Sequence, residues 1–98
     1  MAHRATRPAT PQMKAVRVVG AKCIWAGCEK IGGKVMYTYF VAYGETEPPL
    51  SDFRFLLNST SAHEELTVES GKRPWVCMLA TNSAGMSEYS APMGLLVV

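Results

Sequence analysis

Short apolar runs, each closed by a cluster of turn-forming residues, limit what this chain can fold into more than any other feature. In "YTYFVAY", alternation places Tyr37, Tyr39, Val41 and Tyr43 on one face and Thr38, Phe40 and Ala42 on the other. Clusters of Gly, Pro, Asn and Ser separate the runs, and none has the period of an amphipathic helix. The sequence therefore predicts an all-β chain, although polarity alone does not decide which face of this strand is inward.

The spacing of the runs predicts the architecture. We expect seven strands, at residues 14–19, 21–25, 35–43, 53–57, 65–68, 75–81 and 87–98, the last broken at Pro92. With 98 residues, 48% of them hydrophobic, the chain is one domain with its own core. Turn signals at this spacing predict a seven-stranded, two-sheet antiparallel sandwich of the immunoglobulin-like kind.

The first twelve residues differ from the rest and are expected to form an extended N-terminal arm, leaving residues 13–98 as the domain. They contain prolines, small polar residues and the arginines Arg4 and Arg7, with almost nothing to bury. The arm could be a disordered tail, a segment that orders against a protein partner, or a nucleic-acid contact. Only these two arginines precede Pro11 and no aromatic residue separates them, so binding to phosphates would be weak.

The segment "ATNSAGMSEYSAP", residues 80–92, predicts a hairpin, because Asn82 and Gly85 tolerate positive φ. It resembles the F strand, FG loop and G strand of a fibronectin type III domain. "MSEYS" within it also resembles a relaxed Trp-Ser-x-Trp-Ser segment of cytokine-receptor modules. Pro11, Trp25 at the end of "AKCIW", and "YFVAY" are similar to the family pattern too. The resemblance spans residues 11–98 and implies a fibronectin type III-like sandwich.

The resemblance also implies which residues are buried, although one corner departs from the family pattern. The implied core is Trp25, Tyr39, Val41, Val76, Met78 and Ala80. Pro74 stands where the family usually has a tyrosine before strand F, so either Trp75 substitutes for it after a one-residue shift or the corner is held differently. Without a shift, Trp75, Cys77 and Leu79 point outward. An outward Trp75 beside Leu79 would be an apolar patch that marks an interface.

The three cysteines are predicted to be free thiols. Cys23 and Cys77 lie on the two strands that carry the bridge in immunoglobulin domains, but the implied parity puts Cys23 inside and Cys77 outside. The odd number and the spacings of the cysteines do not suggest a zinc or redox pair.

No catalytic pattern is present in the sequence. Asp52 is its single aspartate, and a Ser-His-Asp set would have to use His63 in a polar loop. "GCEKIGGK", residues 27–34, misses the spacing of a phosphate loop, and no group of residues has metal-ligand spacing. We therefore expect no enzyme activity, no cofactor and no metal.

These observations predict a non-enzymatic protein–protein interaction module. The candidate partner-binding residues are Arg4, Arg7, Trp75, Leu79, Asn82, Ser83 and Met86. A start at methionine and an end at "GLLVV" favour a small structural or accessory subunit of a larger assembly, such as a decoration or tail component of a phage virion. The alternatives are an extracellular adhesion or receptor module, and a carbohydrate-binding sandwich with Trp75, Tyr89 or Phe40 as platforms.

The expected partners are other protein subunits, of the same or another kind, or a protein or glycan of a cell surface. Nucleic acid and membrane are not expected. No signal peptide or membrane-spanning run is visible, which favours a virion or the cytoplasm over secretion. The acceptor pattern "NST" at Asn58 is interpreted as a polar loop.

Overall fold

The computed structural model describes residues 6–95, which form two antiparallel sheets. The strands are β1 Met13–Gly20, β2 Cys23–Cys28, β3 Met36–Tyr43, β4 Arg54–Ser59, β5 His63–Thr67, β6 Pro74–Asn82, β7 Gly85–Met86 and β8 Met93–Gly94, with a short 3-10 turn at Leu50–Asp52. One sheet has the order β1-β2-β5, and the other has the order β4-β3-β6-β7, with β8 also paired to β6. The all-β two-sheet sandwich is thus confirmed.

The core lies between the sheets and is built by period-two alternation. From β3 it takes Tyr37, Tyr39 and Val41, and from β6 it takes Val76, Met78 and Ala80, facing Val16, Ile24, Ala26 and Leu66 of the other sheet. The hydroxyl of the fully buried Tyr39 donates to the carbonyl oxygen of Ser61 at 2.7 Å. That bond removes the cost of burying the phenol, which is why a tyrosine can occupy the centre of the sandwich.

Trp25 is not in the core, so this part of the prediction was wrong. β2 buries Ile24, Ala26 and Cys28, and the alternation therefore places Trp25 on the outer face, where it is half-buried. A Cβ added to Gly27 would lie 2.8 Å from Trp25 Cη2, so the glycine leaves the space that the indole occupies. "CIWAGC" is apolar on both faces, and its sequence alone could not decide the parity.

The prediction of a seventh strand at residues 87–98 is wrong for most of its described length. Only β8 falls within that range, whose residues 96–98 lie outside the described residues; β7 precedes it at Gly85–Met86, and residues 87–92 between β7 and β8 are not in a strand. Two serine hydroxyls in that interval accept hydrogen bonds from β6: Ser87 Oγ from the amide of Ala80 and Ser90 Oγ from the amide of Met78, both at 2.9 Å. Ser90 also donates its own amide to the carbonyl oxygen of Met78 at 2.8 Å. Side chains thus replace part of the ladder, and this is the structural role of the "MSEYS" segment.

The corner before β6 is held without the family's tyrosine and without a register shift. Pro74 is fully buried, and Trp75 Nε1 donates to the carbonyl oxygen of Gly44 at 2.9 Å. Tyr43, from β3, accepts the amide of Glu69 at 3.0 Å through its hydroxyl. A tyrosine therefore does secure this corner, but it comes from a neighbouring strand.

A second apolar layer covers part of the outer face of the β4-β3-β6-β7 sheet. Cys77 and Ala42 are buried there beneath Phe53, with Trp75 packed beside them. Leu79 is also buried, with 5% of its surface exposed, so the predicted surface patch of Trp75 and Leu79 is absent from the described structure. Phe53, which is distant in the sequence, packs with Cys77 and Ala42 in this layer.

The thiols are free, as predicted, but two of their positions differ from the prediction. Cys23 lies on the outer side of β2 and is half-buried rather than in the core. Cys77 points outward as predicted, yet it is fully buried. The two side chains point away from the sandwich on opposite sides, which rules out a bridge between them.

Candidate functional site

The hairpin between β6 and β7 holds the described part of the arm. Asn82 Nδ2 donates to the carbonyl oxygen of Thr6 at 2.7 Å, and Arg7 pairs with Glu88 at 3.7 Å. The aliphatic part of Arg7 lies against Gly85, since a Cβ there would be 3.5 Å from its side-chain carbons. Gly85 has φ 136°, a conformation that favours glycine. The turn therefore forms a seat for an extended segment.

The orientation of the Asn82 amide is set by the turn. Its Oδ1 accepts the amide of Ala84 at 2.8 Å, which leaves Nδ2 directed at the arm. The Arg7–Glu88 pair is open to solvent, with 60% and 81% of the two side chains exposed. Such a pair contributes about 0–1 kcal/mol, so the arm is held weakly at this point.

From Pro11 onward, the arm packs against the domain. Pro11 is fully buried, and the carbonyl oxygen of Gln12 accepts the amide of Glu29 at 2.8 Å. This corrects the expectation that residues 1–12 have almost nothing to bury and lie outside the core. The boundary at residue 12 stays a prediction, and Arg4 lies outside the described residues.

The structure brings only part of the predicted partner-binding set together. Arg7, Asn82, Ser83 and Met86 share the hairpin, where Ser83 is exposed in the turn and Met86 is 59% exposed. Trp75 is half-buried against the outer layer instead, and Leu79 is buried.

A cluster of aromatic side chains lies on the outer face of the same sheet, and the sequence predicted it incompletely. Phe40 forms edge-to-face contacts with Phe55 and with Tyr89, with ring centroids 6.4 Å and 5.2 Å apart and interplanar angles of 78° and 67°. Phe55 is 59% exposed and Tyr89 43% exposed. Rings at these angles do not form the planar row that a sugar-stacking platform needs. Phe55 was not predicted, because the sequence predicts a strand at residues 53–57 but does not show which of its side chains point outward.

An open cavity of about 310 Å³ lies at the arm end of the sandwich, between the loop after β2 and the start of β5. Its lining includes Lys14, Cys28, Tyr37 and His63. Burial raises the pKa of the Cys28 thiol to about 11 from the ordinary 9.0, with the nearby charge of Glu29 as a smaller cause. A thiol protonated at neutral pH is not a nucleophile, so this cavity has no activated cysteine.

Comparison with solved structures identifies the fold. The crystal structure of FN3tt superposes with a TM-score of 0.71 at 13% identity, covering 93% of this chain and 97% of that chain. An Fn3-like protein from Clostridium thermocellum gives 0.69 at 14% identity, covering 93% of this chain and 91% of that one. The chain has a fibronectin type III-like fold. The twitchin kinase region from C. elegans also matches, with a TM-score of 0.74, 13% identity and coverage of 90% of this chain and 16% of that chain.

At these identities the likeness concerns the fibronectin type III-like fold itself. No family model and no curated protein sequence matches the chain. Among residues 6–95 there is no helix long and apolar enough to cross a membrane, and no group of three His, Cys, Asp or Glu that could hold a metal ion.

The two outer faces of this fibronectin type III-like sandwich differ in character. On the β1-β2-β5 sheet, the Arg17 guanidinium lies 4.7 Å from the Trp25 ring centroid, and the His63 ring stacks on the same indole at 5.5 Å. Glu65 pairs with Trp25 in the ladder and is exposed. That face is therefore charged and hydrated around a single tryptophan, whereas the other carries the aromatic cluster.

Proposed function

We propose that the chain is a non-enzymatic protein-interaction module whose β6–β7 hairpin binds an extended segment containing arginine. The observation that carries this proposal is the seating of Thr6 and Arg7 on Asn82 and Glu88. Asn82 contacts a main-chain carbonyl, which recognises an extended backbone of any sequence. Glu88 supplies the charge that selects a cationic side chain.

The weak binding of Thr6 and Arg7 to the β6–β7 hairpin allows the bound segment to be exchanged between copies or partners. One hydrogen bond from the Asn82 side-chain amide and one exposed ion pair hold residues 6 and 7 on the hairpin, so a segment from another subunit competes with them at modest free-energy cost. A structural or accessory subunit that passes its arm to a neighbour is one form of this function, and a decoration or tail component of a virion is one setting for it.

The proposal is tested with a chain that lacks residues 1–9 and therefore keeps the buried Pro11. A synthetic peptide of residues 1–10 is titrated into it, and the side-chain amide of Asn82 is followed by NMR. We expect saturable binding with a dissociation constant of roughly 1 mM, the affinity of a few exposed contacts. Replacing Arg7 of the peptide by alanine weakens binding.

A matched pair of variants tests the recognition of charge. Glu88→Gln in the truncated chain weakens peptide binding, whereas Glu65→Gln, an exposed carboxylate on the other sheet, leaves it unchanged. Equal binding in both variants, or no shift of the Asn82 amide at several millimolar peptide, would contradict the proposal.

A further inference from the structure

The central strands β3 and β6 are apolar on both faces. Their outward positions are Met36, Thr38, Phe40 and Ala42 on β3 and Trp75, Cys77, Leu79 and Thr81 on β6, none of them charged. Strands with this composition are typical of sheets covered on both sides, whereas a sheet that faces water alternates with polar residues. The outer face of the other sheet does carry charges, at Arg17 and Glu65.

Only part of this apolar outer face is covered by the chain itself. Phe53 closes the end near Trp75, but Phe55 and Tyr89 remain 59% and 43% exposed on either side of Phe40. Nearer the hairpin, Met36 is also exposed, and it is joined through Thr81 to the exposed Met86 in one cross-strand row. We call Met36, Phe40, Phe55, Met86 and Tyr89 the aromatic face. Several exposed apolar side chains grouped on one face of a sheet mark an interaction site.

We propose that the aromatic face packs against the same face of a second copy, about a two-fold axis parallel to the strands. This goes beyond the proposed function, since it concerns another surface and names the partner. Rotation about such an axis exchanges the left and right edges of the face. Phe55 at the β4 edge then meets Tyr89 of the second copy, and the reverse contact follows by symmetry.

The polar groups at the two edges are complementary under the same rotation. Asn58 and Leu79 both pair with Thr38, so they lie on one level across the sheet. Glu88 lies on this level at the opposite edge, because it stands between Ser87 and Ser90. The Ser87 amide donates to the carbonyl oxygen of Ala80, and the Ser90 amide donates to that of Met78. Asn58 on one copy therefore faces Glu88 on the other.

The hydrogen-bonding capacity of these edge groups fits the contact. Asn58 Oδ1 accepts from Thr38 Oγ1 at 2.7 Å, which leaves the Nδ2 donors for a carboxylate. Glu88 uses Oε1 toward Arg7 and has a second oxygen to accept them. A two-fold axis across the strands would instead put the two Glu88 carboxylates on the same side of the interface, where they repel each other.

The experiment is a concentration series of the full chain by sedimentation equilibrium. We expect a monomer–dimer equilibrium with a dissociation constant of about 100 μM or tighter, within reach of a small specific interface. Phe55→Lys and Tyr89→Lys each raise that constant roughly thirtyfold or more, the loss expected when an aromatic residue that contributes strongly to an interface is replaced by a charge. Val18→Lys, at a 63% exposed position on the other sheet, leaves it unchanged.

Charge exchange tests the direction of the axis. Asn58→Asp weakens the dimer, because it places a second carboxylate opposite Glu88. Combining Asn58→Asp with Glu88→Lys restores dimerisation if the axis is parallel to the strands. A double variant that stays weak would overturn the proposed axis.

Two results overturn the proposal as a whole. One is a full chain that stays monomeric up to about 1 mM, which leaves the aromatic face to a different protein. The other is a dimer that Phe55→Lys does not weaken although the variant keeps its far-ultraviolet spectrum and melting temperature. Phe55 lies across the sheet from the hairpin, so either result leaves the peptide titration of the proposed function unaffected.

Discussion

The two serines of the "MSEYS" segment offer the sharpest test of how the structure is held together, and Ser90→Ala is the change that probes it. Ser90 is 3% exposed, and its Oγ accepts the amide of Met78, a residue with no exposed surface. Alanine keeps the backbone bond from its own amide to the Met78 carbonyl but removes the acceptor. The Met78 N–H is then buried without a partner.

The expected loss follows from that orphaned donor. An unsatisfied buried amide costs about 1–3 kcal/mol, so we expect the free energy of unfolding to fall by about 2 kcal/mol. For a domain of this size, that corresponds to a melting temperature lower by about 8–16 °C. Ser87→Ala should cost less, about 0.5–1 kcal/mol, because Ser87 is half-buried and water can replace its hydroxyl toward Ala80.

The assay is urea unfolding of the full chain, followed by tryptophan fluorescence and by circular dichroism. Ser83→Ala, at an exposed position of the turn, is the control and should change stability by about 0.5 kcal/mol at most. The denaturant slope should be the same in all variants. A Ser90→Ala midpoint equal to that of the control, or a larger loss in Ser87→Ala, would refute the reasoning.

Of three further predictions, one concerns the β1-β2-β5 sheet and two concern the thiols. Gly27→Ala places a Cβ 2.8 Å from Trp25 and should cost about 1–3 kcal/mol in thermal unfolding, whereas Gly32→Ala, with nothing within 4 Å, should not. Burial raises the pKa values of Cys28 and Cys77 to about 11 and about 12, so a thiol reagent at pH near 8 should label one cysteine in the folded chain and all three after unfolding. The thiols of the unfolded chain have the ordinary pKa of 9.0 and therefore ionise at lower pH than the buried thiols of the folded chain, so the free energy of unfolding should fall as the pH rises from 9 toward 11. The fall should be smaller in Cys28→Ala. An equal dependence on pH in that variant would argue against Cys28 as a source.

Much of the fold could be predicted from local pattern. Alternation grouped Tyr39 with Val41 and Val76 with Met78, and the faces that the resemblance implied to be inward are the ones that the structure buries. The Asn82–Gly85 turn lies where the hairpin was expected. Period-two alternation is a property of the strand itself and needs no knowledge of its neighbours.

The candidate sites were predicted less completely. Asn82 and Arg7 were identified singly, but the sequence had no means of showing that the arm lies on the hairpin, because the hydrogen bond from Asn82 to Thr6 joins residues 76 positions apart. Phe55 was missed since a β-bulge between Tyr39 and Phe40 shifts the register of β4. Such a shift leaves no local signal in the sequence.

By itself, the sequence determined the class of fold and the positions of most strands, and the resemblance implied which faces β3 and β6 turn inward. The tertiary structure decided which side of β2 is buried and what covers the outer face of the larger sheet. The physical reason is the same in both cases. Where a strand is apolar on both sides, as β2 is around Trp25 and β6 is around Cys77, burial depends on segments that arrive from elsewhere in the chain, and Phe53 covers Cys77 while Trp25 stays half-exposed.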